Sequence, residues 1–194
     1  MACRLVVGLG NPGPEYAGTR HNVGFEVLDR VAAATARAFV RRGRSLEARG
    51  EREGVPFVLA KPQTYMNASG RAVRDLLDEL GAEAELLVLC DDFHLPLGRL
   101  RCRARGSDGG QKGLASVNAL AGRDVPRLRL GLGEPPDAVP AEDWVLRPFK
   151  RGERPEADAM LDRAAALVLD WLGHGRLERL IQEANAHDGA GGPG

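Results

Sequence analysis

The sequence predicts an α/β protein: one domain, built as a three-layer αβα sandwich around a mixed, mostly parallel twisted sheet. Three observations carry that expectation. Short apolar runs that read as strands alternate with longer stretches whose apolar residues recur every three or four positions. One run, Leu86–Cys90, is apolar throughout, as a strand covered by helices on both faces would be. A chain of 194 residues with 43 % hydrophobic and 28 % charged content is the make-up of one soluble globular domain able to bury its own core.

The elements follow in chain order. Arg4–Gly10 is a short apolar run ending in glycine, a buried strand. From Asn22 to about Ala38, Phe25, Leu28, Val31, Thr35 and Phe39 fall at helical spacing and predict an amphipathic helix. Val55–Lys61 is a strand stopped by Pro62. Asn67–Leu80 predicts a helix with Val73, Leu76, Leu77 and Leu80 on one face and Gly81 as its C′ residue. Leu86–Cys90 is a central parallel strand running into Asp91-Asp92. Arg99–Arg105 alternates Leu100, Cys102 and Ala104 with four arginines, a half-buried strand with a basic face. Lys112–Leu120 is a short helix, Leu128–Gly133 a strand, Ala157–Leu172 a long helix, and Leu177–Ala184 a last short one. One or two strands are expected to run antiparallel. Residues 1–187 form the domain, and Asp188–Gly194 (DGAGGPG) reads as a disordered tail.

Composition narrows the function. No apolar run reaches the roughly 18 residues of a membrane span, and the first residues lack the apolar stretch of a signal peptide. Three cysteines with no C-x-x-C pair fit a reducing compartment, so a cytoplasmic location is expected and a thiolate zinc site is not. The net charge of zero hides segregation. Residues 75–92 carry seven acids and no base, residues 99–112 five bases against one acid, and residues 37–52 six arginines against two glutamates. Local potential steers a polyanion, so a nucleic-acid partner stays open. Only three of the 27 basic residues are lysine, which overall compositional bias explains better than phosphate binding. The stretch 37–52 reads as a solvated loop and hairpin.

In α/β sheets the working site lies beyond the carboxyl ends of the strands. That brings Gly8–Gly13, Lys61–Asn67 and Asp91–Pro96 to one rim. Gly8–Gly13 matches G-x-G-x-x-G, but Pro12 and Pro14 remove amide donors where a pyrophosphate would need them. The glycines instead let the backbone turn and present Asn11. His21 is the candidate general base, Asp91 the carboxylate that fixes its tautomer, and Asn11 and Asn67 amides that orient a carbonyl or an oxyanion. Asp91-Asp92-x-His94 is too isolated for a metal site, and no metal or cofactor is expected. Ser107 lacks the setting of a nucleophile. Cys90 and Cys102 read as small core residues. The junction Gly106–Gly110, with Arg101, Arg103 and Lys112 beside it, is a candidate phosphate cradle. Aromatic residues are only 5 % of the chain, so nucleic-acid contact should be to phosphate and sugar.

Gly8–Gly24 reads G-L-G-N-P-G-P-E-Y-A-G-T-R-H-N-V-G, Lys61–Gly70 reads K-P-Q-T-Y-M-N-A-S-G, Asp91–Gly98 supplies D-D-x-x-L-P-x-G and Arg127–Gly133 R-x-R-x-G-x-G. Together they resemble the bacterial-type peptidyl-tRNA hydrolases over Arg4 to about Asn185. The resemblance implies hydrolysis of the ester joining a peptide to tRNA without metal or cofactor, by a monomer with no obligate protein partner and no membrane. Carried over by position, His21 activates water, Asp91 supports it and Asn11 discriminates blocked from free aminoacyl esters. Tyr16, Tyr65 and Asn67 bind the substrate end, and Arg101, Arg103 and Arg129 contact tRNA. Three positions depart. Gln111-Lys112 stands where the family usually has His-Asn, which puts the substrate clamp in question, and His94 stands where an acid is usual. The alternative is a catalytically impaired RNA-binding homologue of the same fold.

Overall fold

A computed structural model describes residues 2–122, 124–173 and 175–186. The expected tail Asp188–Gly194 lies outside the described residues. One seven-stranded sheet has the order β2-β3-β4-β1-β5-β7-β6, with β1 Arg4–Gly8, β2 Val40–Arg42, β3 Ser45–Arg52, β4 Val55–Pro62, β5 Glu85–Asp92, β6 Leu100–Arg103 and β7 Arg127–Gly131. The strands β4, β1, β5 and β7 are mutually parallel, and β3 and β6 run against their neighbours. The mixed, mostly parallel sheet is therefore present.

Period-two alternation along the central strands builds the three layers. On β1, Val6 faces a core shared with α1 (Val23–Ala34), α5 (Arg154–Gly173) and α6 (Leu177–Asn185). Leu5 and Val7 face the opposite core, under α2 (Ser69–Leu80) and α3 (Lys112–Ala121). On β5, Leu87 and Leu89 join the first core while Leu86, Val88 and Cys90 join the second. Cys90 and Cys102 are both fully covered, and burial pushes each thiol up to about 12. No helix among the described residues is long and apolar enough to cross a membrane.

Two expectations are corrected. The helix predicted to about Ala38 ends at Ala34. Thr35 turns its hydroxyl back to the Val31 carbonyl (2.8 Å), and Ala36 adopts a left-handed φ of 52° that breaks the turn. Phe39 continues the apolar period for a different reason: its ring packs under the Lys61 ammonium, 4.4 Å away. At the other helix, Asn67 sits in a 3-10 turn, Met66–Ala68, and α2 begins at Ser69. The basic stretch 37–52 forms β2 and β3, and the acidic face of α2 neutralises part of it. Arg44 pairs with Asp75 (2.6 Å), and Arg49 makes two bonds to Glu79 (2.7 and 3.0 Å).

A close approach of backbones sets the rim. A Cβ on Gly8 would run into the Gly24 carbonyl, and one on Gly24 would lie 2.7 Å from the Leu9 nitrogen. The paired glycines let the first turn of α1 press onto the end of β1, directly beside the end of β5.

Candidate active site

His21 lies in a 3-10 turn, Arg20–Asn22, that leads into α1. Arg20 holds this turn from beneath. Only 2 % exposed, it donates to the Arg147 and Pro148 carbonyls (3.2 and 2.7 Å), pairs with Glu153 (2.5 Å) and lies over the Trp144 ring (4.4 Å). The turn is thereby tied to the segment after α4 (Ala141–Val145), an element the sequence patterns did not signal.

Asp91 ends β5 with its carboxylate buried. Its Oδ2 lies 2.8 Å from His21 Nδ1, and its Oδ1 accepts from Gln111 Nε2 at 2.9 Å. A carboxylate accepts only, so Nδ1 carries the proton and Nε2 keeps its lone pair. Burial disfavours the imidazolium, but the charge and hydrogen bond of Asp91 outweigh it. Lys112 opposes them from a distance, and the His21 pKa sits above its ordinary 6.5.

Asn11 is fixed by a reciprocal pair. Its backbone N–H donates to Asn22 Oδ1 and its carbonyl accepts from Asn22 Nδ2, both at 2.9 Å. Its Oδ1 accepts from the Met66 N–H at 2.8 Å, which leaves the side-chain NH2 as the donor available to the cleft. The strand-end loop of β1 and the Lys61–Asn67 segment are thus joined through one amide.

These groups line a cleft of about 350 Å³ shared by Asn11, His21, Asp91, Lys112 and Arg129, with Glu142 and Leu146 on the facing wall. Lys112 and Glu142 are 3.7 Å apart and both largely exposed. Tyr16, Tyr65 and Asn67 are not brought into that wall. Tyr65 is 64 % exposed, Asn67 is exposed beside it, and Tyr16 is half-buried on the loop after Gly13.

The predicted basic junction forms a second cavity, about 190 Å³, lined by His94, Arg101, Arg103, Ser107, Arg127 and Arg129. Arg129 belongs to both cavities. It pairs with Asp92 (3.1 Å) and donates to the Ser107 carbonyl (2.8 Å), while Arg127 donates to the Gly106 carbonyl at 2.5 Å. Two buried arginines therefore hold the glycine-rich loop in place. Asp92 also accepts from the His94 N–H (2.9 Å), so Asp91 and Asp92 are committed to different partners and the Asp-Asp-x-His run does not converge. Among the described residues no cluster of His, Cys, Asp and Glu is grouped to hold a metal.

The sequence patterns missed Asn22, Arg20, Glu142 and the contact made by Gln111. The asparagine carried a signal, since it adjoins the candidate base in Thr19-Arg20-His21-Asn22. The others act through long-range contacts that no local period reveals.

A buried carboxylate behind an imidazole, with an amide donor and an open cleft in front, is an arrangement suited to general-base chemistry in a hydrolase. A family model described as peptidyl-tRNA hydrolase matches residues 5–190. Relatives of that name include one from Desulforudis audaxviator, 52 % identical over 165 residues (84 % of this chain, 83 % of the relative). Another, from Parasynechococcus marenigrum, is 48 % identical over 170 residues (82 % and 83 %). The crystal structure of peptidyl-tRNA hydrolase from Acinetobacter baumannii superposes with a TM-score of 0.86 at 31 % identity, covering 95 % of each chain. The chain belongs to the peptidyl-tRNA hydrolase family.

Proposed function

We propose that the protein hydrolyses the ester linking a peptide, or an N-blocked aminoacyl group, to tRNA, with His21 as general base. The observation that carries this is the His21–Asp91 contact at 2.8 Å, with the imidazole facing a cleft large enough for the acyl end of such a substrate. His21 Nε2 takes a proton from water as the oxygen attacks the ester carbonyl. Asp91 stabilises the imidazolium, and the Asn11 NH2 donates to the oxygen that gains charge. The tetrahedral intermediate collapses with cleavage of the bond to the ribose oxygen. That oxygen takes the proton back from His21, releasing free tRNA and the peptide acid.

The tRNA backbone is assigned to the basic cavity beside the cleft, through Arg101, Arg103 and Arg129. Lys112 reaches either a phosphate or the peptide carbonyl, while Tyr16, Tyr65 and Asn67 meet the substrate end from the surrounding loops. His21 and Asp91 supply the base between them, so the chemistry calls on no metal or cofactor. The expected setting is the cytoplasm, with the chain working as a monomer without a protein partner. The RNA-binding alternative loses its main support, because Gln111 sustains the Asp91 carboxylate and leaves the dyad intact.

The test is hydrolysis of N-blocked aminoacyl-tRNA, with free aminoacyl-tRNA alongside and EDTA present. Cleavage of the blocked ester alone, with His21→Ala slowed by about 100-fold or more, supports the assignment. Binding of tRNA without cleavage by the wild type puts the RNA-binding alternative in its place.

A further inference from the structure

Gln111 occupies one of the three positions where this chain departs from the family motif, and its single amide makes three contacts. Its Oε1 accepts from the Leu114 N–H (2.7 Å), which caps the first turn of α3. Its Nε2 donates to Asp91 Oδ1 (2.9 Å) and lies 3.3 Å from the Met66 sulfur. The side chain is buried.

We infer that Gln111 is a positioning residue for the hydrolysis, locking the Asp91 carboxylate against α3 so that its second oxygen stays on His21. This rests on the reading of His21 and Asp91 as the base pair. The amide orientation is not free: a backbone N–H can only donate, so Oε1 must face Leu114 and the NH2 must face Asp91. A carboxylate bonded through one oxygen can still swing about its terminal torsion, whereas one bonded through both cannot. An amide N–H also shares the negative charge without competing for the proton, which a titrating side chain would do. One residue therefore starts a helix and aims the dyad.

The other charges lining the dyad's cleft are Lys112 from α3, Asp92 from β5, Arg129 from β7 and Glu142 from α4. None changes in the variants below, so a shift between them reports the Gln111 contact. Gln111→Ser keeps a strong N-cap side chain but cannot reach Asp91, and Gln111→Leu loses both functions. Each is assayed for kcat, KM and their pH profiles on N-blocked aminoacyl-tRNA, and for thermal unfolding.

Gln111→Ser is expected to hold its KM while kcat falls about tenfold, and its Tm drops modestly because Asp91 Oδ1 loses its buried donor while the helix cap is kept. Its acid limb moves to higher pH, because the unshared Asp91 charge holds the imidazolium more strongly. Gln111→Leu shows the same kinetics and a lower Tm. A Gln111→Ser enzyme with wild-type kcat and an unmoved acid limb overturns the inference, as does a kcat loss confined to Gln111→Leu. Asp91→Asn, run in the same assays, separates the two levels. If it retains full kcat the base pair itself fails, and if it is slow while Gln111→Ser is unchanged only the role of Gln111 fails.

Discussion

His21 Nδ1 and Asp91 Oδ2 stand 2.8 Å apart although 70 residues separate them in the chain. The meeting is prepared by backbone packing: Gly8 against Gly24 sets the turn that carries His21, and β1 pairs in parallel with β5 so that both strands end at the same level. Asp91, Asn11 and Gln111 then close the surroundings with hydrogen bonds in which every donor has one direction to point. The relationship orients the imidazole and backs it with a charge, which raises its affinity for a proton.

The first prediction is the pH profile. In the proposed mechanism neutral His21 is the active form, and its folded pKa is raised above 6.5. The rate should therefore climb with pH through a midpoint above 6.5. Burial, which favours the neutral ring, is unopposed once the carboxylate is gone, so Asp91→Asn should move the midpoint below 6.5 while lowering kcat about 100-fold. The same pair stabilises the fold in the protonated state. That contribution is complete below the unfolded pKa and disappears as pH rises through the raised folded value. Tm measured against pH should show it in the wild type and lose it in Asp91→Asn.

A second prediction divides the arginines of the basic cavity. Arg103 is exposed, whereas Arg129 is 9 % exposed and committed to Asp92 and Ser107. Arg103→Ala should raise KM severalfold, cut the slope of log affinity against log salt by about one, and leave Tm unchanged. Arg129→Ala should raise KM as well but also lower Tm, because Asp92 Oδ2 loses its guanidinium and the glycine-rich loop loses one of its two arginines. Equal Tm losses in both would contradict this division.

Most of the sheet, and the two residues that meet as His21 and Asp91, were legible in the sequence because their signals are local. Leu86–Cys90 announces a strand covered on both faces, Asp91 follows it at the strand end, and His21 stands among polar residues at a loop-to-helix junction. Phe39 shows where locality fails: its helical spacing persisted past the helix because a cation on β4 had claimed its ring. Helix α4 has five residues, too few for an apolar period to register, yet it forms one wall of the cleft. Asn67 was read as a rim amide and Tyr65 was placed by resemblance, and both stay outside the cleft wall because Met66 between them points inward, 4 % exposed. Gln111 stood out as a departure, but its contact with Asp91 joins residues 20 positions apart and could only be seen in three dimensions.

A third prediction concerns Lys112, whose charge pulls the His21 pKa down from across the cleft. Lys112→Met should shift the acid limb to higher pH. Its pairing with Glu142 is too exposed to matter for the fold, and surface pairs of this kind contribute about 0–1 kcal/mol. Glu142→Gln should accordingly leave Tm where it is. An acid limb that stays put in Lys112→Met would show that solvent screens the charge completely.

The last prediction tests what holds the His21 turn. Arg20 is almost fully buried, and its guanidinium joins two carbonyls, Glu153 and the faces of Trp144 and Phe149. Truncation to alanine strands the Pro148 carbonyl, removes the side-chain donor to the Arg147 carbonyl and to Glu153, and empties a buried site, a loss of about 1–3 kcal/mol. Urea denaturation should show that loss in the midpoint. The kinetic effect should be separate from it. Under conditions where Arg20→Ala is still folded, kcat should fall because the turn no longer presents His21 to Asp91, while KM, set by the arginines on the far side of the cleft, stays near wild type. Arg20→Lys keeps the charge but lacks the planar fork, so it should recover part of the stability and little of the rate. If Arg20→Ala were destabilised yet fully active, the turn would be held by the Asn11–Asn22 pair alone, and the buried arginine would serve the fold without serving the chemistry.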